Sequence, residues 1–501
     1  MAQSSTEREV KLGAWAGFSL PDLNDVVEGV TAVPIPDRLL KAVYYDTADL
    51  RLARWGVTIR HRTGEGTGWT VKLPEGDEGP ALVRREVTFE GPANHIPPEA
   101  LSLVRSYVRR GSLAPVAHMR TRRAGVVLSD VEGQAVAEVV DDEVSVLHGG
   151  RVAARFREVE VELTGRASPG LIDAVLARLG EAGAGRPDPT PKLVRALGAR
   201  ALGPPELAPV DLDDEPSAGD VLHVAMVSSV TRILRHDPGV RIGDDPEDVH
   251  QARVGTRRLR SDLRTFAAIL DDDWLGPLRE ELKWFAGVLG SVRDADVLTE
   301  RLRSQAEALP ERDAAGMAPL FRRLAKEREV AARALGAVMA GERYVDLLDR
   351  LVLGAQQPAL RAEASEPATR IVPDLVGRPW RHLRKSVGDL PDEPPDEDLH
   401  EVRIRAKRVR YAAEAAVPVA GGAAKSFASA VADLQTILGD HQDAVVAEDW
   451  LRQAVLRASP AQALAAGELI AVQRAEEAAA REAWPAAWKR IDKKKRRAWI
   501  G

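Results

Sequence analysis

The chain has no cysteine in its 501 residues. A disulfide framework and a thiolate metal site are therefore excluded. It also lacks any apolar run near the ~20 residues that a helix needs to cross a bilayer. Its first residues, MAQSSTEREVKLG, have no apolar core of signal-peptide length, so a cytoplasmic protein without membrane segments is expected. Nor is there an excess of positive charge: the net charge is −6. Bulk charge thus names no polyanionic partner, and any such partner has to be read from local clusters. What the chain does have is length and apolar content. Hydrophobic residues make up 45% and charged residues 29%, as in globular protein, and the length predicts two or three domains.

Residues 1–200 read mainly as strands. Alternating stretches recur (EREVKL, VTIRHR, WTVKL, LVRREVTFE, AEVVDDEVSV, REVEVEL) between turn sequences such as TGEGTG and PEGDEGP. Two helical stretches, 97–109 and 168–183, interrupt them, the second with Ser168 as N-cap and Pro169 in its first turn. A Pro-rich, acidic stretch around 198–217 reads as a linker. Helical periodicity then runs to the end, with breaks expected at 243–248, 271–277, 377–379 and 389–398.

Side chains at i and i+2 of a strand share a face. Glu7, Glu9 and Lys11 therefore point together. So do Arg60 and Arg62, Thr70 and Lys72, Arg84 and Glu86, Arg120 and Arg122, Glu138 and Asp142, and Glu158, Glu160 and Glu162. A single polar face of this kind usually meets water. Here the charges are sorted strand by strand: acids only at 158–162, bases only at 60–62, mixtures elsewhere. A closed barrel with a polar interior accounts for that sorting. Its carboxylates would gather a hard divalent cation, and its bases would grip phosphate oxygens.

The run Glu7-Arg-Glu9-Val-Lys11 resembles the ExExK signature of the CYTH superfamily, the triphosphate tunnel metalloenzymes. Behind it, in order, come YYDT with DLRLARWGVTIRHRTG, then WTVKL, RREV, Arg120/Arg122, EVVDD, EVEVEL and PKLVRAL. The resemblance implies an eight-stranded antiparallel β-barrel over 1–203. It also implies hydrolysis of the terminal phosphate of a triphosphate, or in one branch cyclisation of ATP, with Mg²⁺ or Mn²⁺. Carried over, Glu7, Glu9, Asp142, Glu158 and Glu160 are the metal-side carboxylates and, with Lys11, the catalytic set. Lys11, Arg60, Arg62, Lys72, Arg84, Arg120, Arg122 and Lys192 contact the triphosphate, and Glu86 and Glu138 orient the bases. Two choices stay open: Asp141 against Asp142, and Glu162 against Glu158.

The helical half repeats itself. HQARVGTRRLRSDLRTF begins at His250 and HEVRIRAKRVRYAAEAA at His400, an offset of 400 − 250 = 150. LGSVRDAD from Leu289 and LGDHQDAV from Leu438 follow them in the same order, which suggests a duplicated bundle. At 100° per residue, His250, Arg253, Arg257, Arg260 and Arg264 fall within an arc of about 80°. His400, Arg403, Lys407 and Arg410 form the equivalent stripe. A solvated cationic face is the plain alternative, but this stripe lacks the interleaved acids that usually pair one.

These helices resemble the two signature helices of the CHAD domain. That resemblance implies two four-helix bundles with a basic surface that binds inorganic polyphosphate through the nine residues of the two stripes. Lys407, and Glu414 where the first copy has Arg264, depart from strict repetition. The domain would span 217–492 after a linker at 204–216, with repeats at about 217–345 and 370–490 and a basic tail at 493–501. Few aromatic residues accompany the stripe, so no nucleic acid is expected. His250 and His400 would either strengthen anion binding when protonated or hydrogen-bond across a helix pair. The leading expectation is a triphosphatase with a polyphosphate-binding appendage that associates with polyphosphate granules. The rivals are a non-catalytic polyphosphate scaffold and an adenylyl cyclase.

Overall fold

The structure, a computed structural model, describes residues 3–66, 68–78, 81–456 and 458–500. Thr67 of the first turn sequence, Gly79 and Pro80 of the second, and Gly501 of the tail lie outside the described residues. The chain divides into two compact units, Met1–Glu206 and Leu207–Gly501.

The first unit holds eight strands: β1 (Gln3–Ala14), β2 (Thr31–Asp46), β3 (Thr58–Thr63), β4 (Gly68–Glu78), β5 (Ala81–Phe89), β6 (Ala114–Ser129), β7 (Ala135–His148) and β8 (Arg151–Leu163). They close into one antiparallel barrel in the order β1-β5-β4-β3-β2-β6-β7-β8. Its helices are α1 (Arg51–Arg54), α2 (Pro98–Leu103), α3 (Arg105–Val108), α4 (Pro169–Glu181) and α5 (Lys192–Leu197). Ser168 precedes α4 but makes no capping hydrogen bond.

Strand alternation separates two environments. Val10 and Leu12 of β1, Val139 of β7, and Val159 and Val161 of β8 face outward, packed under Leu171, Val175 and Leu179 of α4. The intervening Glu7, Glu9, Lys11, Glu158 and Glu160 therefore point into the barrel. Leu193 and Val194 of α5 pack on Tyr44, Ala117, Met119 and Val144. That contact places Lys192, the first residue of α5, at the cavity. The YYDT sequence has a structural part as well. Asp46 is fully buried and accepts from the backbone N–H groups of Thr47, Leu52 and Ala53 at 2.7, 2.9 and 2.9 Å, closing the corner into α1.

The second unit is helical: α6 (Ala218–Ile242), α7 (Pro246–Thr265), α8 (Asp272–Ala306), α9 (Glu311–Ala314), α10 (Ala318–Ala340), α11 (Glu342–Gln356), α12 (Ala368–Gly388), α13 (Asp396–Ala415), α14 (Val417–Ala454) and α15 (Pro460–Ile491). The duplication is written in the helix starts: 368 − 218 = 150 and 396 − 246 = 150. The α14 backbone kinks at Gly421, whose φ of 56° suits only glycine readily. The helix beyond that kink starts 422 − 272 = 150 residues after α8. One expected break, at 377–379, does not occur, and the one at 271–277 is shorter than expected. Gly377, Arg378 and Pro379 lie inside α12, whose buried Val376, Trp380 and Leu383 keep one packed face across the proline. Likewise Gly276 and Pro277 lie inside α8, which starts at Asp272 under a cap from the Asp271 side chain. Among the described residues no helix is long and apolar enough to cross a membrane.

Candidate functional site

The barrel encloses a cavity of about 430 Å³. Arg60, Arg62, Lys72, Arg84 and Arg123 line it with Glu7, Glu86, Glu138, Glu160 and Glu162, and Lys11 and Lys192 close its floor. The floor is paired throughout. Lys11 Nζ lies 2.5 Å from Glu160 and 3.0 Å from Glu9. Lys192 Nζ reaches Asp142 at 2.5 Å, Glu160 at 2.9 Å and Glu158 at 3.2 Å. Arg123 donates to both oxygens of Asp142, at 2.9 and 2.7 Å, and to Glu160 at 3.1 Å. Burial opposes the charge on Glu160, but Lys11, Lys192 and Arg123 outweigh it and hold this carboxyl well below the usual range. The same balance keeps Asp142 low against its burial, through Lys192 and Arg123. Glu158, buried with less compensation, is pushed up.

Above the floor the charges separate. Glu162 is pushed up to about 7, first by burial and then by Glu7, with Glu138 and Glu86 adding to it against Lys72. On the basic side Arg62 is brought down to about 10, first by Arg60, then by burial and Arg123. One region of the cavity thus holds acids that repel, and another holds bases that repel and are offset only in part by Glu65, 3.6 Å from Arg62 and 3.7 Å from Arg123. Arg60 is fixed by donating to Tyr44 Oη at 3.1 Å. Lys72 bridges the two regions, 2.5 Å from Glu7 and 3.0 Å from Glu86. Oε1 of Glu9 is buried without a hydrogen-bond partner, whereas the two oxygens of Glu158 face Lys192 at 3.2 Å and Arg195 at 3.5 Å. An all-oxygen donor set with such an orphan fits a hard divalent cation.

The expected barrel residues therefore sit in one place, with one exception. Arg120 and Arg122 lie on the outer surface. Arg122 pairs with Asp37 at 3.0 Å, both more than half exposed, and the inward residue is Arg123. The polar alternation His118, Arg120, Arg122 resembles an interior charged face, yet Ala117 and Met119 face inward against α5, and Thr121 and Arg123 continue that parity. A bulge in β2 between Ile35 and Arg38 accompanies the site, pairing Ile35 with Gly125 and Arg38 with Arg123. Of the open choices, Asp142 faces inward, while Asp141 faces outward and accepts from Arg157 at 2.8 Å. Glu162 lines the cavity and Glu158 lies beneath it.

In the helical unit, α7 packs against α13, and a cavity of about 480 Å³ opens beside them. His250, Arg253, Arg257, His400, Arg403 and Lys407 all line it, so both stripes converge. Arg253 reaches Asp294 at 2.6 Å and Arg403 reaches Asp443 at 3.7 Å. These are the aspartates of the two LGxxxD segments. Their glycines, Gly290 and Gly439, lie beside the same arginines: a Cβ there would stand in ordinary van der Waals contact, 3.9 and 3.4 Å from the guanidinium nitrogens. Lys407 is brought down to about 7 by burial, then by Arg403, Arg257 and Arg253, against Asp443. Arg257 is lowered mainly by burial and lies over the Tyr411 ring. Among the described residues neither His250 nor His400 bonds across a helix pair, and Nδ1 of His400 is buried without a partner.

Three stripe residues lie elsewhere. Arg260 neighbours Arg279 and Glu280, Arg410 pairs with Glu414 at 3.3 Å, and Arg264 lines a different cleft. Ideal helical geometry put them in the arc, but the arc is longer than the cavity. Arg293 and Arg301 were not singled out from the sequence, yet they line the cavity. They are eight residues apart on α8, two i,i+4 steps, which was a readable signal. Elsewhere, Asp396, His441 and Glu477 bring three donor atoms within 4.8 Å of one another, the one such trio among the described residues. Arg481 already pairs with both acids, filling the place a cation would take.

The comparisons with known proteins follow this division. The CYTH domain model matches residues 7–180 and the CHAD domain model matches residues 225–452. An uncharacterized protein of Mycobacterium tuberculosis is 33% identical over 475 residues, covering 87% of this chain and 86% of its own length. PptA from Streptomyces chartreusis is 29% identical with a TM-score of 0.46, covering 55% of this chain and 99% of that structure. The CHAD domain from the plant Ricinus communis is 27% identical with a TM-score of 0.48, covering 56% and 94%.

Proposed function

The chain belongs to the family of proteins that join a CYTH domain to a CHAD domain, and from that premise we propose that its barrel is a metal-dependent triphosphatase. It releases the terminal phosphate of inorganic tripolyphosphate or a related triphosphate, and the helical unit binds inorganic polyphosphate. CYTH members are typically enzymes acting on triphosphates. The observation that carries the reading is the frustrated charge of the barrel cavity. Repelling acids around Glu162 and repelling bases around Arg62 share one enclosed space. A divalent cation relieves the first and a phosphate chain relieves the second; either ligand alone leaves one region unsatisfied.

Mg²⁺ or Mn²⁺ suits the site, held by Glu7, Glu9 and Glu162 with Glu138 and Glu160 beside them. When bound, it supplies the positive charge that a transferring phosphoryl group needs. Arg60, Arg62, Arg84, Lys72 and Arg123 bind and orient the phosphate oxygens. Lys11 and Lys192 keep Glu160 ionised, and Tyr44 fixes Arg60 so that its fork stays aimed.

Phosphate release by the whole chain tests the reading, with tripolyphosphate, thiamine triphosphate and nucleoside triphosphates as substrates under Mg²⁺ or Mn²⁺. Orthophosphate from at least one of them, lost in Glu7→Gln/Glu9→Gln, is expected. A full rate in that double variant overturns it. A scaffold would bind polyphosphate and release nothing; a cyclase would turn ATP into cyclic nucleotide and pyrophosphate. In the helical unit, Arg257 and Lys407 are the central contacts, and reversing both charges is expected to abolish polyphosphate binding.

A further inference from the structure

Arg264 belongs to a second basic cleft. It lies between α7, α8, α12 and α13 and has a volume of about 480 Å³. Arg264, Arg279, Arg378, Arg405 and Arg408 line it, and Asp374 is the one carboxylate among its lining residues. Arg405 is held by Glu401 at 2.8 Å. Arg264, Arg279, Arg378 and Arg408 are ion-paired to no carboxylate among the described residues, and Arg408 Nε is buried without a partner. Burial first, then Arg408, Arg279 and Arg260, brings Arg264 down to about 10. Unpaired guanidinium groups converge here at a cost in repulsion that no ion pair to them among the described residues offsets.

This cleft is separate from the cavity lined by His250 and His400. Arg405 and Arg408 lie about 100° or more around α13 from Arg403 and Lys407. The same two helices, α7 and α13, also carry a closed network outside both lining sets. Glu414 pairs with Arg258 at 3.0 Å and with Arg410 at 3.3 Å, and Tyr411 carries Arg410 over its ring at 4.7 Å. The cleft also escapes the duplication. Position 264 + 150 = 414 is Glu414, so the second copy spends on an internal ion pair the place that Arg264 gives to the cleft. No Phe, Tyr or Trp lines it, which leaves nothing to stack a base. Arginine forks in a small concave space match the oxygens of phosphoryl groups.

We propose that this cleft is a second, independent site for phosphoryl oxyanions on the helical unit. Two sources share that chemistry: a distant stretch of the polyphosphate chain held in the first cavity, or a separate short phosphate ligand. The test uses the whole chain in chelator, so that no metal-dependent turnover occurs, and an arginine-specific dicarbonyl reagent with peptide mapping. The probes are tripolyphosphate and long-chain polyphosphate. The modification rate at Arg264 and Arg408 is expected to fall about tenfold at ten times the dissociation constant of at least one probe. Protection by tripolyphosphate that persists in Arg257→Gln/Lys407→Gln supports the site with a separate short ligand. Protection by the long chain only, lost in that variant, supports it as a remote subsite of one chain. Unchanged rates at Arg264 and Arg408 while Arg257 is protected overturn the proposal and leave the first cavity's function standing. Protection at Arg264 and Arg408 without protection at Arg257 does the reverse.

Discussion

Arg123 grips Asp142 through both sides of its guanidinium, Nε to Oδ1 at 2.9 Å and Nη2 to Oδ2 at 2.7 Å. Asp142 is fully buried, so the pair is made where an unpaired charge is costly. Arg123→Gln is expected to destabilise the barrel by about 3 kcal/mol, read as a fall in the melting temperature, and to lose most phosphate release. Arg120→Gln/Arg122→Gln, on the outer surface, should change stability by less than about 0.5 kcal/mol and leave turnover unaltered. The opposite ranking would mean that β6 presents its other face to the cavity.

Glu7 and Glu9 make a different prediction because their ligand is a cation. Glu7→Gln/Glu9→Gln keeps size and hydrogen bonding but removes two charges. Catalysis should fall by at least ~10²-fold, the scale for losing one essential electrostatic contact. The double variant should also lose the melting-temperature gain that Mn²⁺ gives the unaltered protein, since only native-state binding produces that gain. A variant that is still stabilised by Mn²⁺ would place the metal elsewhere.

Gly125 lies two residues past Arg123 and pairs with Val140 of β7. A Cβ there would stand 2.3 Å from the Val139 carbonyl oxygen and 3.0 Å from Val140 Cα. Backbone cannot yield as a flexible side chain can. Gly125→Ala should therefore push β6 from β7 and cost about 1–3 kcal/mol, measured by denaturant unfolding. An unchanged midpoint would show that the two strands separate freely here.

Much of this was legible in the sequence, and where it was not the reason is physical. The barrel showed itself because charges at i and i+2 were sorted by strand, and Glu7, Glu9, Lys11, Arg60, Lys72 and Glu160 do point inward. β6 is the exception, because strand parity gives two faces without saying which is inside. A polar face suggested the interior, but the end of the barrel packs apolar Met119 and Ala117 inward under Leu193, a tertiary contact that no local pattern reports. The 150-residue repeat located both basic helices. Periodicity then overextended the stripe to Arg260, Arg264 and Arg410, because a helix face is as long as the helix while a cavity ends where neighbouring helices close over it. Pro379 misled for a similar reason: the Trp380 ring stacks on Trp488 and meets Phe427, and that packing carries α12 through a residue that would break an isolated helix.

Lys407 couples the helical cavity to pH. Burial, Arg403, Arg257 and Arg253 oppose Asp443 and bring its ammonium from the ordinary 10.5 to about 7. Between those values the unfolded chain holds a proton that the folded chain does not, so stability without ligand should rise with pH across that window. Anion binding has the opposite sign. A polyphosphate in the cavity favours the charged form and returns the lysine toward its ordinary value, so binding above pH 7 takes up a proton. Affinity should then be greatest below pH 7 and fall as pH rises above it, by no more than tenfold per unit for this one proton. His250, lowered by its own burial and then by Arg293, titrates in a more acidic window and leaves this one distinct. Binding isotherms at fixed salt should show the decline from pH 7 to pH 9. Lys407→Arg, whose charge does not titrate there, should flatten it while retaining affinity. A decline that survives in Lys407→Arg would assign the proton to another group.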